Sequence, residues 1–291
     1  MNVFVVGCKG MLGTDMMLVG SQAGHSMQGA DFPAIDITDQ TSVDSVIDSA
    51  APDIIINCAA YTAVDACEDH QAQAFAVNRD GVANLARCAE RRKALLVHIS
   101  TDYVFNGLQK TPYLETDQPD PKTVYGSSKL AGEEQVLSLC RRHFIFRIAW
   151  LYGLYGANFV KTIRTLALQR SQNGAPLKVV NDQYGTPTYT RQVCRQIIRL
   201  FDCTDYGIYH STQEGACTWY DFARLIVEKS GIACTVAPCS TQEFVRPAQR
   251  PASSVLENGR LKKHALNSMA PWQEAFEEFL RDEHQAVVSG V

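Results

Sequence analysis

Asn2-Val3-Phe4-Val5-Val6-Gly7-Cys8-Lys9-Gly10-Met11-Leu12-Gly13 decides how the rest of this 291-residue chain is read. It opens on a continuous apolar run, the pattern of a strand buried on both faces. Gly-x-x-Gly-x-x-Gly follows, and residues 11–19 read as a helix. Glycine allows a tight turn and lets the backbone come close to a bound anion. The helix behind it offers free N–H groups and the positive end of its dipole. Glycines alone would also fit an ordinary strand-to-helix turn. A strand before them and a helix after them point instead to a turn that holds the pyrophosphate of a dinucleotide.

The alternation continues outward from that turn. Ile35-Asp36-Ile37 leads to Thr38-Asp39, a predicted N-cap for a helix through residues 43–49. Residues 53–58 read as the next buried strand and 72–90 as one long Ala-rich helix. Residues 94–99 read as another strand, ending at Ser100-Thr101-Asp102. A Pro- and Asp-rich loop over 111–122 precedes a helix over 125–140, and residues 144–149 close the regular pattern. Strands alternating with helices imply parallel βαβ units. The expected fold class is therefore α/β, a Rossmann-type doubly wound parallel sheet with a smaller, mixed C-terminal substrate lobe. Past Trp150 the pattern loosens into helices over 159–169, 191–201, 218–229 and 272–282, with short strands over 177–180 and 207–210. The expected division is a dinucleotide-binding domain over 1–150 and a mainly substrate-binding lobe over 151–291, with the chain crossing back into the core.

Composition excludes several classes. The formal net charge is −4, so no general basic field draws nucleic acid. Short basic clusters such as Arg91-Arg92-Lys93 read as solvated helix ends. No apolar stretch approaches the ~18 residues that a membrane span needs, and no export signal opens the chain. The ten cysteines are scattered and never form Cys-x-x-Cys, which argues against zinc and thioredoxin-like chemistry. They read as reduced thiols in a cytoplasmic protein. His70, His98, His143, His210 and His264 lack metal-ligand spacing and read as structural. Cys8, inside the glycine turn, reads as a small filler, although a helix N-terminus can lower a thiol pKa.

Tyr125-Gly126-Ser127-Ser128-Lys129 carries the chemistry. Residues four apart share one face of a helix, and an ammonium beside a phenol favours the phenolate. Tyr125 can then give or take a proton near neutral pH. The pair alone is cheap and would also suit a helix surface. Its position raises it: a strand ends at Ser100-Thr101, and Tyr125 opens the next helix. In a doubly wound sheet both belong to the cleft at the carboxyl ends of the strands. The Thr101 hydroxyl can hydrogen-bond a carbonyl oxygen as charge develops on it. Thr101, Tyr125 and Lys129 are therefore the expected catalytic set of a carbonyl reductase using NADH or NADPH. Asp31 is the nearest carboxylate to the end of the second strand, where it would bond the adenosine ribose and favour NADH. Lys9 could meet a 2′-phosphate, so NADPH is tolerated.

The glycine turn, Asn57-Cys58-Ala59-Ala60-Tyr61, Ser100–Phe105 and Tyr125–Lys129 resemble the extended short-chain dehydrogenase/reductase family. Narrower stretches resemble its dTDP-4-dehydrorhamnose reductases: Arg147 to Gly153, Asn158 to Thr162, Val180 to Thr188, and Arg246 to Pro251 with Leu256. These matches span residues 2 to about 262. The resemblance implies reduction of the C4 keto group of dTDP-4-dehydro-β-L-rhamnose to dTDP-L-rhamnose for cell-surface polysaccharide. It also implies roles for residues. Gly7, Gly10, Met11, Leu12, Gly13, Asp36, Ile37, Ala59, Ala60 and Tyr61 would line the cofactor together with Tyr125 and Lys129. Thr101, Asp102, Tyr125 and Trp150 would contact the sugar. Cys58 stands where many relatives carry Ala.

Three features keep two readings. Trp150 is either packing or a substrate contact at the cleft mouth. Arg246 and Arg250 are either surface charges or guanidinium forks for the diphosphate. Some relatives bridge the subunits of a homodimer through Mg²⁺; Asp15 is one acidic candidate, but no partner set accompanies it and no metal is assigned. Two other functions compete. A nucleotide-sugar epimerase would return its hydride and consume no NAD(P)H. A binding module like the methionine adenosyltransferase regulatory subunit would show no turnover.

Overall fold

Residues apolar on both faces need helices above and below them, and the apolar runs of this chain stand side by side as parallel strands. The computed structural model describes residues 1–289. The first half runs β1 (Asn2–Val6), α1 (Met11–Gln22), β2 (Ser26–Ala30), α2 (Gln40–Ala50), β3 (Ile54–Asn57), α3 (Val64–Asp69), α4 (Gln71–Phe75), α5 (Val82–Arg92), β4 (Leu95–Thr101), α6 (Val124–Leu139) and β5 (His143–Ile148). The second half runs β6 (Leu151–Tyr152), α7 (Phe159–Asn173), β7 (Leu177–Val180), β8 (Tyr184–Gly185), β9 (Thr188–Tyr189), α8 (Thr190–Ile198), β10 (Gly207–His210), β11 (Cys217–Thr218), α9 (Trp219–Lys229), β12 (Val236–Cys239), α10 (Gly259–Lys263) and α11 (Trp272–Ser289).

The main sheet has the order β10-β5-β4-β3-β1-β2, with every pair parallel. Successive side chains of a strand point to opposite faces, and β1 divides accordingly. Val3 and Val5 pack with Leu12 and Met16 of α1 and Val193 and Ile197 of α8. Phe4 and Val6 pack with Val43 and Ile47 of α2 and Leu85 of α5. The strand order turns back between β1 and β3, which opens a crevice at their carboxyl ends. The architecture is the doubly wound α/β sheet of the Rossmann type.

A second core, around Tyr152, Phe222, Phe276 and Phe279, holds α7, α9 and α11 with the short strands of the C-terminal half. That half does not stay apart. α8 packs along α1, β10 extends the main sheet beside β5, and Leu261 and Met269 join the first core. The chain therefore crosses into the sheet domain again after residue 190. The helix expected over 72–90 is also more intricate in path: α4 and α5 are joined by a π-helical segment, Ala76–Gly81.

Candidate active site

At the end of β1 the chain turns at Gly7 with φ +80°. A Cβ there would stand 2.7 Å from the Ala59 nitrogen, so glycine is required on both counts. The first turn of α1 then faces a cleft of about 970 Å³ along the strand ends. Gly7, Gly10, Met11, Leu12, Asp31, Asp36, Ile37, Ala59 and Ala60 line this cleft, as do Thr101, Asp102, Tyr125, Lys129 and Trp150. Gly13 and Tyr61 stand back from it. Gly13 packs α1 onto the turn, where a Cβ would overlap the Gly7 carbonyl oxygen. Tyr61 is held by its backbone, with its N–H and C=O bonded to the Asn78 side chain at 2.8 and 3.1 Å. Asp31 follows β2 directly, and its Oδ2 accepts the Lys9 N–H at 2.6 Å.

Tyr125 owes its place to the start of α6. Thr123 Oγ1 accepts the Gly126 N–H at 3.0 Å, and Glu68 Oε1 accepts the Val124 N–H at 3.0 Å, so the first turn is capped from two sides. Gly126 lies against the Tyr103 carbonyl, where a Cβ would overlap the oxygen. The Tyr125 ring meets Tyr103 edge-on, with centroids 5.5 Å apart. Thr101, the last residue of β4, donates to Asp102 Oδ1 at 2.9 Å and accepts the Tyr103 N–H at 3.2 Å. Lys129 reaches down to the Ile99 carbonyl, with Nζ donating at 2.6 Å.

The electrostatics differ from the expectation that Lys129 lowers the Tyr125 pKa. Burial pushes the Tyr125 phenol above its ordinary range, and a hydrogen bond with Thr101 only partly opposes this. Burial also pulls Lys129 down to about 8, against the field of Glu133. Desolvation disfavours both charged forms, and it sets both shifts; no field between the two residues does. The chemical result is a phenol that keeps its proton at neutral pH, poised to donate. Asp102 is likewise pushed up to about 6 by burial. Cys8 is raised by burial and by Asp31, so the helix N-terminus does not activate it; burial takes Cys58 up to about 12.

Several residues of the site escaped the sequence reading. Glu133, one turn past Lys129, is buried and takes a two-pronged hydrogen bond from Arg147 at 2.9 and 2.6 Å. Ser100 Oγ donates to the same carboxylate at 2.5 Å, and the Arg147 guanidinium lies 5.0 Å from the Phe105 ring centroid. This network ties α6 to β4 and β5 behind the face that carries Tyr125 and Lys129. Asn78 reaches Tyr61 and Ser128 from the π-helical segment, a device often found at functional sites. The π turn has no local sequence signature that could have announced it.

Trp150 adopts φ +46° and stacks on Trp219 at 3.4 Å, 7° from parallel. It stands between the main cleft and a second cavity of about 300 Å³, and both it and Tyr103 line both spaces. Phe159, Trp219, Phe244, Arg246 and Arg250 are among the other residues that line the second cavity. They come from separate segments, which hid the cavity from a reading of motifs along the chain.

The cleft fits a dinucleotide: a glycine turn with no room for a Cβ at Gly7 or Gly13 opens it, and a carboxylate follows β2. The Asp15 site does not fit a divalent cation. Asp15 is fully buried, with Thr190 Oγ1 donating to one oxygen at 2.5 Å and Arg191 Nε to the other at 3.1 Å. Among the described residues no group of three or more His, Cys, Asp or Glu could hold a metal, and no helix is long and apolar enough to cross a membrane.

The chain is similar to known proteins along its length. The spore coat polysaccharide biosynthesis protein SpsK of Bacillus subtilis is 39% identical over 285 residues, covering 98% of this chain and 99% of that one. The crystal structure of a dTDP-4-dehydrorhamnose reductase from Clostridium acetobutylicum superposes with TM-score 0.93 at 40% identity, covering 97% of this chain and 99% of that one. The dTDP-4-dehydrorhamnose reductase of Bacillus anthracis, solved in complex with NADP, superposes with TM-score 0.92 at 36% identity, covering 96% and 98%. The model of the RmlD substrate binding domain matches residues 1–285, and this chain belongs to that family.

Proposed function

We propose that this chain reduces the C4 keto group of dTDP-4-dehydro-β-L-rhamnose with NADH or NADPH, giving dTDP-L-rhamnose for cell-surface polysaccharide. The observation that carries the reading is the placement of Tyr125 in the main cleft with Thr101 and Lys129, its ring against Tyr103, which borders the second cavity. Relatives at 36–40% identity that are named for this reaction support the choice of substrate. Bound NAD(P)H supplies the hydride that the carbonyl carbon receives. Gly7, Gly10, Met11 and Leu12 would hold its pyrophosphate side, and Asp31 its adenosine ribose, with Asp36, Ile37, Ala59 and Ala60 along the walls. Gly13 and Tyr61 would act behind them, through packing and backbone.

Tyr125 donates its proton to the C4 oxygen as the carbonyl is reduced. Lys129, while charged, steadies the phenolate left behind. Thr101 fixes the oxygen beside Tyr125 once its hydroxyl turns from Asp102. Asp102 is buried, with Thr101 bonded to Oδ1 and Ser254 beside the carboxyl; Oδ2 takes no close hydrogen bond and would accept one from a sugar hydroxyl. Trp150 forms the wall at which the sugar passes into the second cavity. There the stacked Trp150 and Trp219 and the Phe159 ring offer aromatic surface for a base, while Arg246 and Arg250 offer forks for the diphosphate. The lobe built from parts of residues 151–291 is thus the substrate side. Ten cysteines, none of them bonded to another, suit the cytoplasm.

The test supplies enzymatically made dTDP-4-dehydro-L-rhamnose and follows reduced-nicotinamide absorbance. Stoichiometric oxidation is expected, which an epimerase or a pure binding module would not give. Tyr125→Phe should keep cofactor binding and lose turnover by about 10²-fold or more. No oxidation of either NADH or NADPH by the unaltered chain would overturn the proposal.

A further inference from the structure

Asp65 lies at the start of α3, on the sheet-domain side, yet its partners are more than 180 residues away in the loop that closes the second cavity. Asp65 Oδ1 stands 2.9 Å from Arg250 Nη1 and accepts the Ala248 N–H at 3.2 Å. Its Oδ2 accepts from Arg250 Nη2 at 3.0 Å and lies 3.7 Å from Arg246 Nη1. Burial alone would raise this carboxyl, but the hydrogen bonds from Arg250 and Ala248 win and hold it below its usual range. Arg246 and Arg250 both line the second cavity, whereas Asp65 lines neither cavity. The carboxylate therefore lies outside both cavities and does not occupy the space that the guanidinium groups line.

A guanidinium carries five donors in a flat fork. A carboxylate that takes one edge fixes the plane and leaves the other donors to a ligand, which spares the rotamer entropy of ordering a long side chain at binding. Two guanidinium groups against one carboxylate also leave a positive charge uncompensated at the cavity mouth. Arg250 is the better held of the two, with its Nη1 also donating to the Ala248 carbonyl at 2.9 Å. Arg246 is half-exposed and rests over the Phe244 ring, its carbon 4.9 Å from the centroid.

We propose that Asp65 is a positioning residue for the sugar nucleotide: it holds Arg250, and more loosely Arg246, with their free donors turned toward the diphosphate. This rests on the sugar-nucleotide reading above and adds to it a residue from the opposite domain. The same contact ties the loop of the second cavity to the sheet domain, at the segment that follows Ala59 and Ala60.

Calorimetric titration with dTDP and with thymidine, in the unaltered chain and in Asp65→Asn, tests the proposal. The variant should bind dTDP about tenfold more weakly, with thymidine and NADH affinities unchanged. In turnover, KM for the sugar nucleotide should rise while kcat holds. Asp65→Glu, which keeps the charge, should recover part of the dTDP affinity even if the Asn form folds poorly. Unchanged or tighter dTDP binding in Asp65→Asn overturns the role, and so does an equal loss of thymidine, which would mean a collapsed cavity. An unaltered chain that binds no dTDP overturns the substrate reading and this role with it.

Discussion

Tyr125 and Lys129 lie four residues apart on α6; Lys129 is buried, and Tyr125, half-buried in the cleft wall, is desolvated by the groups around it. Each therefore favours its neutral form, and the two effects have opposite uses. A tyrosine pushed up stays protonated across the working range and serves as an acid. A lysine pulled down to about 8 keeps its charge only below that pH. In the proposed reaction, reduction leaves a phenolate at Tyr125, and the ammonium of Lys129 is the charge assigned to meet it. kcat/KM reports the groups of the free enzyme, so it should hold at neutral pH. It should then fall about tenfold per unit as pH rises past about 8, with Lys129 and not Tyr125 setting the limb. Rates at low sugar-nucleotide concentration between about pH 6.5 and about pH 10 check this. A level profile across that range would remove the Lys129 charge from the mechanism. The spacing of Tyr125 and Lys129 and the distance back to Thr101 were legible in the sequence, because one helix and one strand end generate them. The direction of the Tyr125 shift was not, because burial is set by Tyr103 and the rest of the fold around the ring.

α6 carries more than its two reactive residues. Tyr125, Lys129 and Glu133 follow one another at four-residue steps, so the face that offers the phenol to the cleft also drives a carboxylate into the core. Glu133 is satisfied there by Arg147 from β5 and Ser100 from β4. Removing one member of a buried pair strands the other charge, which costs more than the pair contributes. Glu133→Ala should lose about 3–5 kcal/mol of stability, measured by chemical denaturation. The double change Glu133→Leu with Arg147→Met should regain most of it. A single variant within about 0.5 kcal/mol of the unaltered chain would refute this account of how α6 is anchored. At this scale the long apolar strands and amphipathic helices were readable, because each has a period of its own. β6, β8, β9 and β11 are two residues long and exist only through partners such as Leu151 with Thr188. β12, with Pro238 inside it, offers the sequence no strand pattern at all.

The two cores of the molecule are joined by α8, which leaves the lobe at Tyr189 and packs along α1 of the cofactor turn. Charge is concentrated at this junction. Asp15 of α1 meets Thr190 and Arg191, Arg191 reaches Asp282 of α11 at 3.1 Å, and Tyr189 donates to the same Asp282 oxygen at 2.7 Å. The resemblance placed Asp15 as a candidate for a Mg²⁺ ion shared between subunits. Here a guanidinium from the same chain supplies the positive charge between the two carboxylates, and both Asp15 oxygens are already bonded. Burial raises the Asp15 pKa against those bonds. A metal chelator in excess should therefore leave kcat unchanged, and light scattering should find the same molar mass with and without it. Added Mg²⁺ should not shift the melting temperature. Arg191→Ala should reverse that last result, because Asp15 and Asp282 would then face each other without a cation and a divalent ion would stabilise them by mass action. Loss of activity or of assembly in chelator, restored by Mg²⁺, would show that the ion binds elsewhere on this chain and that Arg191 does not stand in its place.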